Sequence, residues 1–258
     1  MDPRPERSRP ATRPAGTIRA VHRTAGTSRP RLPGPLRAGV LGEPRTAAVL
    51  TVALLLAAYA VSLLYEPLNH GPNRIFLRTP LDRDIPLVPV FVIPYLSLTP
   101  LLVASLLGFL AFRARLARSA ALALIIAWLV SFAFYLLLQS YVARPSLSGN
   151  GLLTGWLRDV YAGDRPYNDF PSLHTSLSTI VAVHWWRWDR RIGVPVAVWT
   201  LLIVASTVLV HQHYLADVAG GLVLAAIACG VGWRVFGRDA APGAVLETPG
   251  YRADQVLS

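Results

Sequence analysis

The sequence predicts an all-α, polytopic membrane protein, a six-helix bundle with both termini on the cytoplasmic side. Three observations carry that expectation. Hydrophobic residues make up 53% of the chain and charged residues only 15%, with a mean hydropathy of +0.43, whereas an ordinary soluble domain is about 25% charged. From residue 47 onward, long apolar runs alternate with short polar joints. Every second joint is rich in arginine, the pattern expected of cytoplasmic loops.

Residues 1–45 are rich in Arg and Pro and lack apolar periodicity, so they are expected to form a disordered basic cytoplasmic tail. The first long apolar run begins too late for an ordinary secretory signal, and no cleavage is expected there. Near an anionic leaflet each arginine contributes about 1 kcal/mol of attraction. No aromatic residue interleaves these arginines, so nucleic acid is not an expected partner.

The membrane domain is expected over 46–238, with spans at 47–65, 87–112, 119–140, 173–187, 192–211 and 217–236. These lengths approach the roughly 20 residues that a membrane helix needs, and only α-helices fit them. The second span is entered through Pro86, Pro89, Pro94 and Pro100, which predicts a kinked or partly re-entrant start. The fourth is the shortest and carries His184 near its end. Residues 239–258 read as a flexible cytoplasmic tail.

The basic N-terminal segment, "RARLAR" (113–118), "RWDRR" (187–191) and "RVFGR" (234–238) fall on one side of a six-span bundle, which the positive-inside rule makes cytoplasmic. The other side receives 66–86, 141–172 and 212–216. All 25 basic residues are arginine, a composition that suggests a GC-rich genome, and a bacterial plasma membrane is the expected setting. The single cysteine, Cys229, excludes an intrachain disulfide framework and a multi-cysteine metal site.

That topology brings three separated segments to one outer face. They are "YVARP" (141–145) with Arg144, "DFPSLHTSLS" (169–178) with Ser172 and His174, and "STVLVHQHYLAD" (206–217) with Ser206, His213 and Asp217. Ionisable groups at a membrane edge are costly and tend to mark function. Ser172 by itself reads as a helix cap and His174 as an interfacial polar residue. His213 and Asp217 are four apart and would be neighbours on a helix. The carboxylate can then accept a proton from one imidazole nitrogen and leave the other as nucleophile or base. A purely structural hydrogen-bonded pair has the same spacing. Ser206 would lie two turns before His213 if the helix continued. His211 and His213 would point to different sides of a helix, which argues against joint metal ligation. No metal site and no cofactor are expected.

These segments resemble the type 2 phosphatidic acid phosphatase superfamily, whose usual motifs are K-x6-R-P, P-S-G-H and S-R-x5-H-x3-D. Here they stand as Arg144-Pro145, Pro171-Ser172-Leu173-His174, and Ser206-Thr207 followed by His213 and Asp217, and the resemblance covers residues 85–235. The chain has no lysine, Leu173 replaces the glycine of P-S-G-H, and Thr207 replaces the arginine of S-R. "FPSLH", "QHYLAD" and "DRDIPLVPVFVIPY" (82–95) are similar to the branch containing inositol phosphorylceramide synthases. With two cations of the usual phosphate cradle missing, Arg165 of "GDRPYNDFPSLH" is a second candidate cation, although it reads equally as a solvated loop charge.

The resemblance implies a mechanism. His213 would attack phosphorus, held in the correct tautomer by Asp217, and His174 would protonate the leaving oxygen and then activate the acceptor. Arg144, Ser172 and Ser206 would contact the phosphate, helped by the N–H groups at the start of the fourth span. Tyr214 and Asp169 read as an interfacial aromatic and a loop acid. The implied substrate is a lipid or polyprenyl phosphate, cleaved by water. The alternatives are transfer of a phospho-headgroup to an alcohol acceptor, or a transporter or scaffold without catalysis. The sequence does not specify the oligomeric state.

Overall fold

A computed structural model of the protein describes residues 38–69, 71 and 75–237. Residues 1–37 of the expected N-terminal tail and the whole expected C-terminal tail lie outside the described residues. Among the described residues the regular elements are helical. Strand-like pairing is confined to two isolated bridges, Ile75 with Ser140 and Tyr141 with Tyr167.

Helix α1 (Arg45–Ser62) continues into a short α2 (Tyr65–Leu68). A 3-10 turn at Pro89–Phe91 and α3 (Val92–Leu96) lead into α4 (Leu98–Phe112). Then follow α5 (Ala114–Leu137), α6 (Leu152–Gly163), α7 (Leu173–Trp188), α8 (Arg190–Leu209) and α9 (Leu215–Phe236). Among the described residues, five stretches are long and apolar enough to cross a membrane: Arg45–Leu68, Pro89–Phe112, Ala114–Leu137, Arg190–Leu209 and Leu215–Phe236. Helix α7 is not among them. Its 16 residues extend about 24 Å, short of the roughly 30 Å hydrocarbon thickness.

Several boundaries differ from expectation for identifiable reasons. The second span is broken at Ser97, where the short proline-containing α3 ends and α4 begins. "RARLAR" is not a loop but the entrance of α5, because Arg118 is neutralised inside the protein. Its Nη2 donates to Glu43 Oε1 at 2.8 Å, and Nη1 donates to Thr51 Oγ1 at 2.7 Å and to the other Glu43 oxygen. Helix α5 ends at Leu137, since Ile75 N–H donates to the Gln139 carbonyl and Tyr141 N–H to the Ile75 carbonyl. The segment expected as an open outer loop contains α6. Its Leu157 is buried against Val92, Tyr95 and Val210 while its other face stays outside, so it lies across the bundle end.

Helix α7 is the hub and packs against α4, α5, α8 and α9. Shielded from lipid on most sides, it carries hydroxyls and a histidine that are satisfied internally. Ser178 Oγ donates to the His174 carbonyl at 2.6 Å, and His184 contacts the Ile180 carbonyl at 2.7 Å and Ser119 Oγ at 3.0 Å. Helix α9 reaches α7 closely because Gly221 has no side chain. A Cβ there would stand 2.7 Å from the Ser172 carbonyl oxygen and 2.9 Å from Thr175 Cβ. The outer surfaces of α1, α4, α5, α8 and α9 expose apolar side chains such as Leu56, Leu107, Leu136, Leu201 and Val223, the belt that a bilayer would cover.

The two ends of the bundle differ in character. One end collects Glu43, Arg118, the Arg113 guanidinium 5.5 Å from the Trp188 ring, and Arg187 at 4.1 Å from Trp233. At the other, residues 75–88, 139–172 and 209–217 are laced together. Val88 N–H donates to the Leu209 carbonyl, Leu215 N–H to Asp82, and Ser172 N–H to the Asp217 carbonyl.

Candidate active site

The laced end holds two cavities that share one residue, His213. The larger, about 410 Å³, has aliphatic and aromatic walls from α1, α4 and α5. Its polar end is formed by Asp164, Asn168, Asp169, His174, Gln212 and His213. The smaller, about 260 Å³, is a polar vestibule lined by Arg78, Asp82, Arg144, His211, His213 and Tyr214 together with a few apolar groups.

His174 projects from the first turn of α7, and Ser172 caps that turn. Ser172 Oγ accepts from Thr175 N–H at 3.3 Å and from Thr175 Oγ1 at 3.1 Å. The His174 ring stacks on Tyr95 with centroids 4.0 Å apart, which fixes its orientation, and its centroid lies 6.3 Å from that of His213. His213 does not sit on a helix. Helix α8 ends at Leu209, His211 takes a left-handed φ of 51°, and the chain folds back so that the Gln212 and His213 N–H groups both donate to the Thr207 carbonyl. A positive φ is uncommon for a non-glycine residue, and this reversal requires it. His213 thus enters the site from a tight turn, and the helical spacing argument reaches the right neighbour by another route.

Asp217 occupies the first turn of α9. Its Oδ2 accepts from Tyr214 N–H at 2.7 Å, closing the helix start, and lies 3.6 Å from His213 Nδ1. At that distance the pair is in contact but not hydrogen-bonded. Both His213 Nδ1 and Asp217 Oδ1 are buried without a hydrogen-bond partner. Catalytic hydrogen bonds are often long before substrate binds, so this spacing is compatible with a working pair.

The remaining sequence candidates separate. Arg144 reaches the site but is heavily engaged. Its Nη1 donates to the Tyr161 and Asp164 carbonyls at 3.1 and 2.6 Å, its Nη2 donates to Gln212 Oε1, and its plane lies over Tyr161. Ser172 is fully buried beneath the site and lines neither cavity. Ser206 is turned away: its hydroxyl donates to the Ile203 carbonyl at 2.6 Å inside α8. Arg165 is exposed and lines neither cavity, in keeping with a solvated loop charge. His211 and His213, expected on opposite sides of a helix, both line the vestibule from their turn. Among the described residues no group of three or more His, Cys, Asp or Glu is placed to hold a metal ion.

The structure adds residues that the sequence did not single out. Tyr95, Asp164, Asn168 and Gln212 join the histidines at the cavity, and Arg78 joins Arg144 at the vestibule. Asp164 Oδ1 accepts from Tyr65 Oη at 2.9 Å and from Asn69 Nδ2 at 2.6 Å, and burial nonetheless pushes its pKa up. Asp169 is not a solvated loop acid. It is 4% exposed, its Oδ2 has no partner, and burial, with repulsion from Asp217, raises its pKa well above the usual carboxylate value. Tyr214 is buried too, and its hydroxyl oxygen accepts from Ala143 N–H at 3.1 Å.

Asp169 has a consequence for stability. A carboxylate whose pKa is raised on folding binds its proton more tightly in the folded state, so stability falls as pH rises from the unfolded pKa through the folded one. Asp169→Asn removes that loss. Thermal unfolding of the purified protein from pH 4 to 8 should show a flatter profile for the variant, with a higher Tm than wild type at the neutral end. A wild-type Tm that rises with pH and a variant no more stable at neutral pH would contradict this reading.

A family model described as PAP2 superfamily matches residues 73–231, well over half of the chain, and it spans all three segments that meet at the cavities. The chain belongs to the PAP2 superfamily. No curated protein and no solved structure matches it. Members of the PAP2 superfamily are generally phosphatases or phosphotransferases, which agrees with the histidine pair at an amphiphilic cavity, and the five helices long and apolar enough to cross a membrane suit a membrane protein of this class.

Proposed function

We propose that this PAP2 protein is a lipid phosphatase working through a phosphohistidine at the outer membrane face. The observation that carries the proposal is that His174 and His213 stand together at the polar end of a cavity whose walls are otherwise apolar. An acyl or prenyl chain would occupy those walls and present its phosphate to the histidines. His213 attacks phosphorus and the bond to the lipid oxygen breaks. His174 gives its proton to that oxygen, then takes one from water, which displaces His213 and releases phosphate. Asp217 stabilises the charged imidazole, and Arg144 contributes positive charge beside the phosphorus. The chemistry invoked uses side chains of this chain alone and calls for no metal.

A second reading is favoured by the vestibule, which places a polar compartment next to His213. In it the acceptor is an alcohol and the enzyme passes a phospho-headgroup, as the likeness of "FPSLH" and "QHYLAD" to inositol phosphorylceramide synthases suggests. The test common to both is incubation of the purified protein with labelled lipid phosphates, with and without alcohol acceptors. Free phosphate as the main product supports hydrolysis, a labelled diester supports transfer, and no reaction in any mixture defeats both.

The orientation forms part of the proposal. Helix α7 is the sixth crossing, thinned at its outer end where the site lies. Both termini are cytoplasmic, and the cavities open to the far side of a bacterial plasma membrane. Support comes from the arginines gathered at the opposite end of the bundle. With Cys229 replaced by alanine, Asn150→Cys should react with an impermeant maleimide from outside intact cells, and Arg115→Cys only after permeabilisation. Labelling of both from one side would overturn this topology.

A further inference from the structure

The polar end of the larger cavity sets an electrostatic problem. Asp164 and Asp169 stand in its wall beside His174 and His213, and among the described residues no arginine lines it. A phosphate brought to the histidines would meet like charge there if both carboxyls were ionised. The surroundings of the two carboxyls differ. Asp164 has donors suited to an anion, Tyr65 Oη at 2.9 Å and Asn69 Nδ2 at 2.6 Å, both on Oδ1. Asp169 is buried, and its Oδ2 has no hydrogen-bond partner.

Asp169 is nevertheless held firmly from behind. Its own N–H and that of Phe170 both donate to Ser140 Oγ, at 3.0 and 2.7 Å. Asn168 takes a left-handed φ of 64°, which asparagine tolerates better than most residues, and its Oδ1 accepts from Gln139 Nε2 at 2.9 Å. The segment that follows α5 thus fixes the backbone here, and none of these bonds uses the Asp169 carboxyl. A donor placed before its ligand arrives costs no reorganisation at the moment of reaction.

Charged and titratable groups face Asp169 from every side. Burial opposes its ionised form most, Asp217 at the start of α9 repels that form next, and Asp164 adds to the repulsion. Arg144 and the Val142 N–H act the other way. Arg144 forms no ion pair with Asp169, and three of its donors are committed to the Tyr161, Asp164 and Gln212 oxygens. Tyr95 of α3, Tyr135 of α5 and Tyr214 lie near enough to sense its charge, and His174 and His213 share its cavity. The balance keeps the proton on Asp169, and a protonated carboxyl is a hydrogen-bond donor.

We propose that Asp169 serves the reaction as a neutral carboxylic acid, its O–H donating a hydrogen bond to a nonbridging oxygen of the substrate phosphate. The inference rests on the phosphohistidine reading above and adds a residue to it. The proton stays on Asp169 throughout. No bond forms or breaks at its carboxyl, His213 replaces the lipid oxygen on phosphorus, and His174 moves the protons. The O–H stabilises charge on the phosphoryl oxygens without placing a further charge in an apolar cavity. Ionised Asp169 would instead repel the phosphate, so this contribution is lost as pH rises through the carboxyl's titration.

The test compares wild type, Asp169→Asn and Asp169→Leu in lipid nanodiscs, with labelled lipid phosphates from neutral to alkaline pH. Asparagine keeps an N–H donor that does not titrate, and leucine removes the donor. Asp169→Leu should lose roughly 10²-fold in kcat, the effect of deleting one oxyanion donor. The ratio of the Asp169→Asn rate to the wild-type rate cancels limbs that belong to the histidines, and it should climb as pH rises. A second readout needs no turnover. Infrared difference spectra on adding orthovanadate at neutral pH should show the carbonyl band of a protonated acid shifting in wild type, and that shift should be missing in Asp169→Asn. Should Asp169→Leu fail to fold, the asparagine ratio and the spectrum decide alone. A ratio independent of pH, a spectrum unchanged by Asp169→Asn, or a leucine variant as fast as wild type would overturn the role of Asp169 and leave the histidine reading standing. Absence of wild-type turnover with every lipid phosphate would defeat the histidine reading and the inference with it.

Discussion

Replacing His213 by alanine is expected to remove turnover, by a factor on the order of 10⁴ or more, because the group proposed to bond to phosphorus is gone. The substitution is a clean one. The imidazole makes no side-chain hydrogen bond that would be broken, and the His213 N–H bond to the Thr207 carbonyl, 3.0 Å, belongs to the backbone and persists. The cost to stability should therefore stay near the ordinary 1 kcal/mol of a point substitution. Product release from a labelled lipid phosphate measures the first effect and thermal unfolding in detergent the second. A brief reaction quenched in alkali should leave label on wild-type protein that acid removes, and none on His213→Ala. Turnover within tenfold of wild type (roughly what loss of one binding contact costs) would exclude His213 as the nucleophile.

Asp217→Asn should produce the next largest loss, roughly 10²- to 10⁴-fold in kcat, while the protein stays folded. The carboxylate has two functions that this substitution separates. Oδ2 closes the first turn of α9 by accepting from Tyr214 N–H, and an asparagine oxygen can do the same. What asparagine lacks is the negative charge beside Nδ1, 3.6 Å away, which in the proposed mechanism faces an imidazole made positive by bonding to phosphorus. Asp217→Ala loses the cap as well and should lower stability by about 1 kcal/mol further. The expected signature is thus a nearly unchanged Tm with a collapsed kcat for the asparagine variant, and losses in both for alanine. An asparagine variant with full kcat would reduce Asp217 to a helix cap.

The residues that could be read from sequence were those whose type and spacing carry chemistry in themselves. His174, His213, Asp217 and Arg144 lie in short motifs, and the structure brings all four to one end of the bundle. The route to that meeting was not legible. His213 and Asp217 were neighbours by helical spacing, yet His213 sits on a turn made possible by a left-handed His211. Tyr95, Asp164, Asn168 and Gln212 were missed because nothing local distinguishes a cavity-lining tyrosine or amide from an interfacial one. Asp164, Asn168 and Asp169 stood inside "GDRPYNDFPSLH", and only their burial separates them from ordinary loop residues. Ser206 shows the converse. Its motif position suggested the phosphate, and the nearest backbone carbonyl holds its hydroxyl.

The same division governs the fold. Hydropathy predicted six spans, and five of the described helices are long and apolar enough to cross a membrane, because a helix facing lipid must be apolar along its length, and that requirement is written residue by residue. It was weakest for α7, whose surroundings are other helices, so that serines and His184 are satisfied by neighbours that no local window contains. Length and composition likewise could not show α6 crossing the bundle end, or Arg118 held by Glu43 75 residues away. Sequence pointed to the membrane class, the arginine-rich joints and the candidate site side chains, since each depends on a residue's own chemistry. Tertiary structure decided which polar groups share a cavity and which are spent on the backbone, and it divided the space around His213 into an apolar and a cationic compartment. Those depend on distances between segments far apart in the chain, which a linear pattern does not contain.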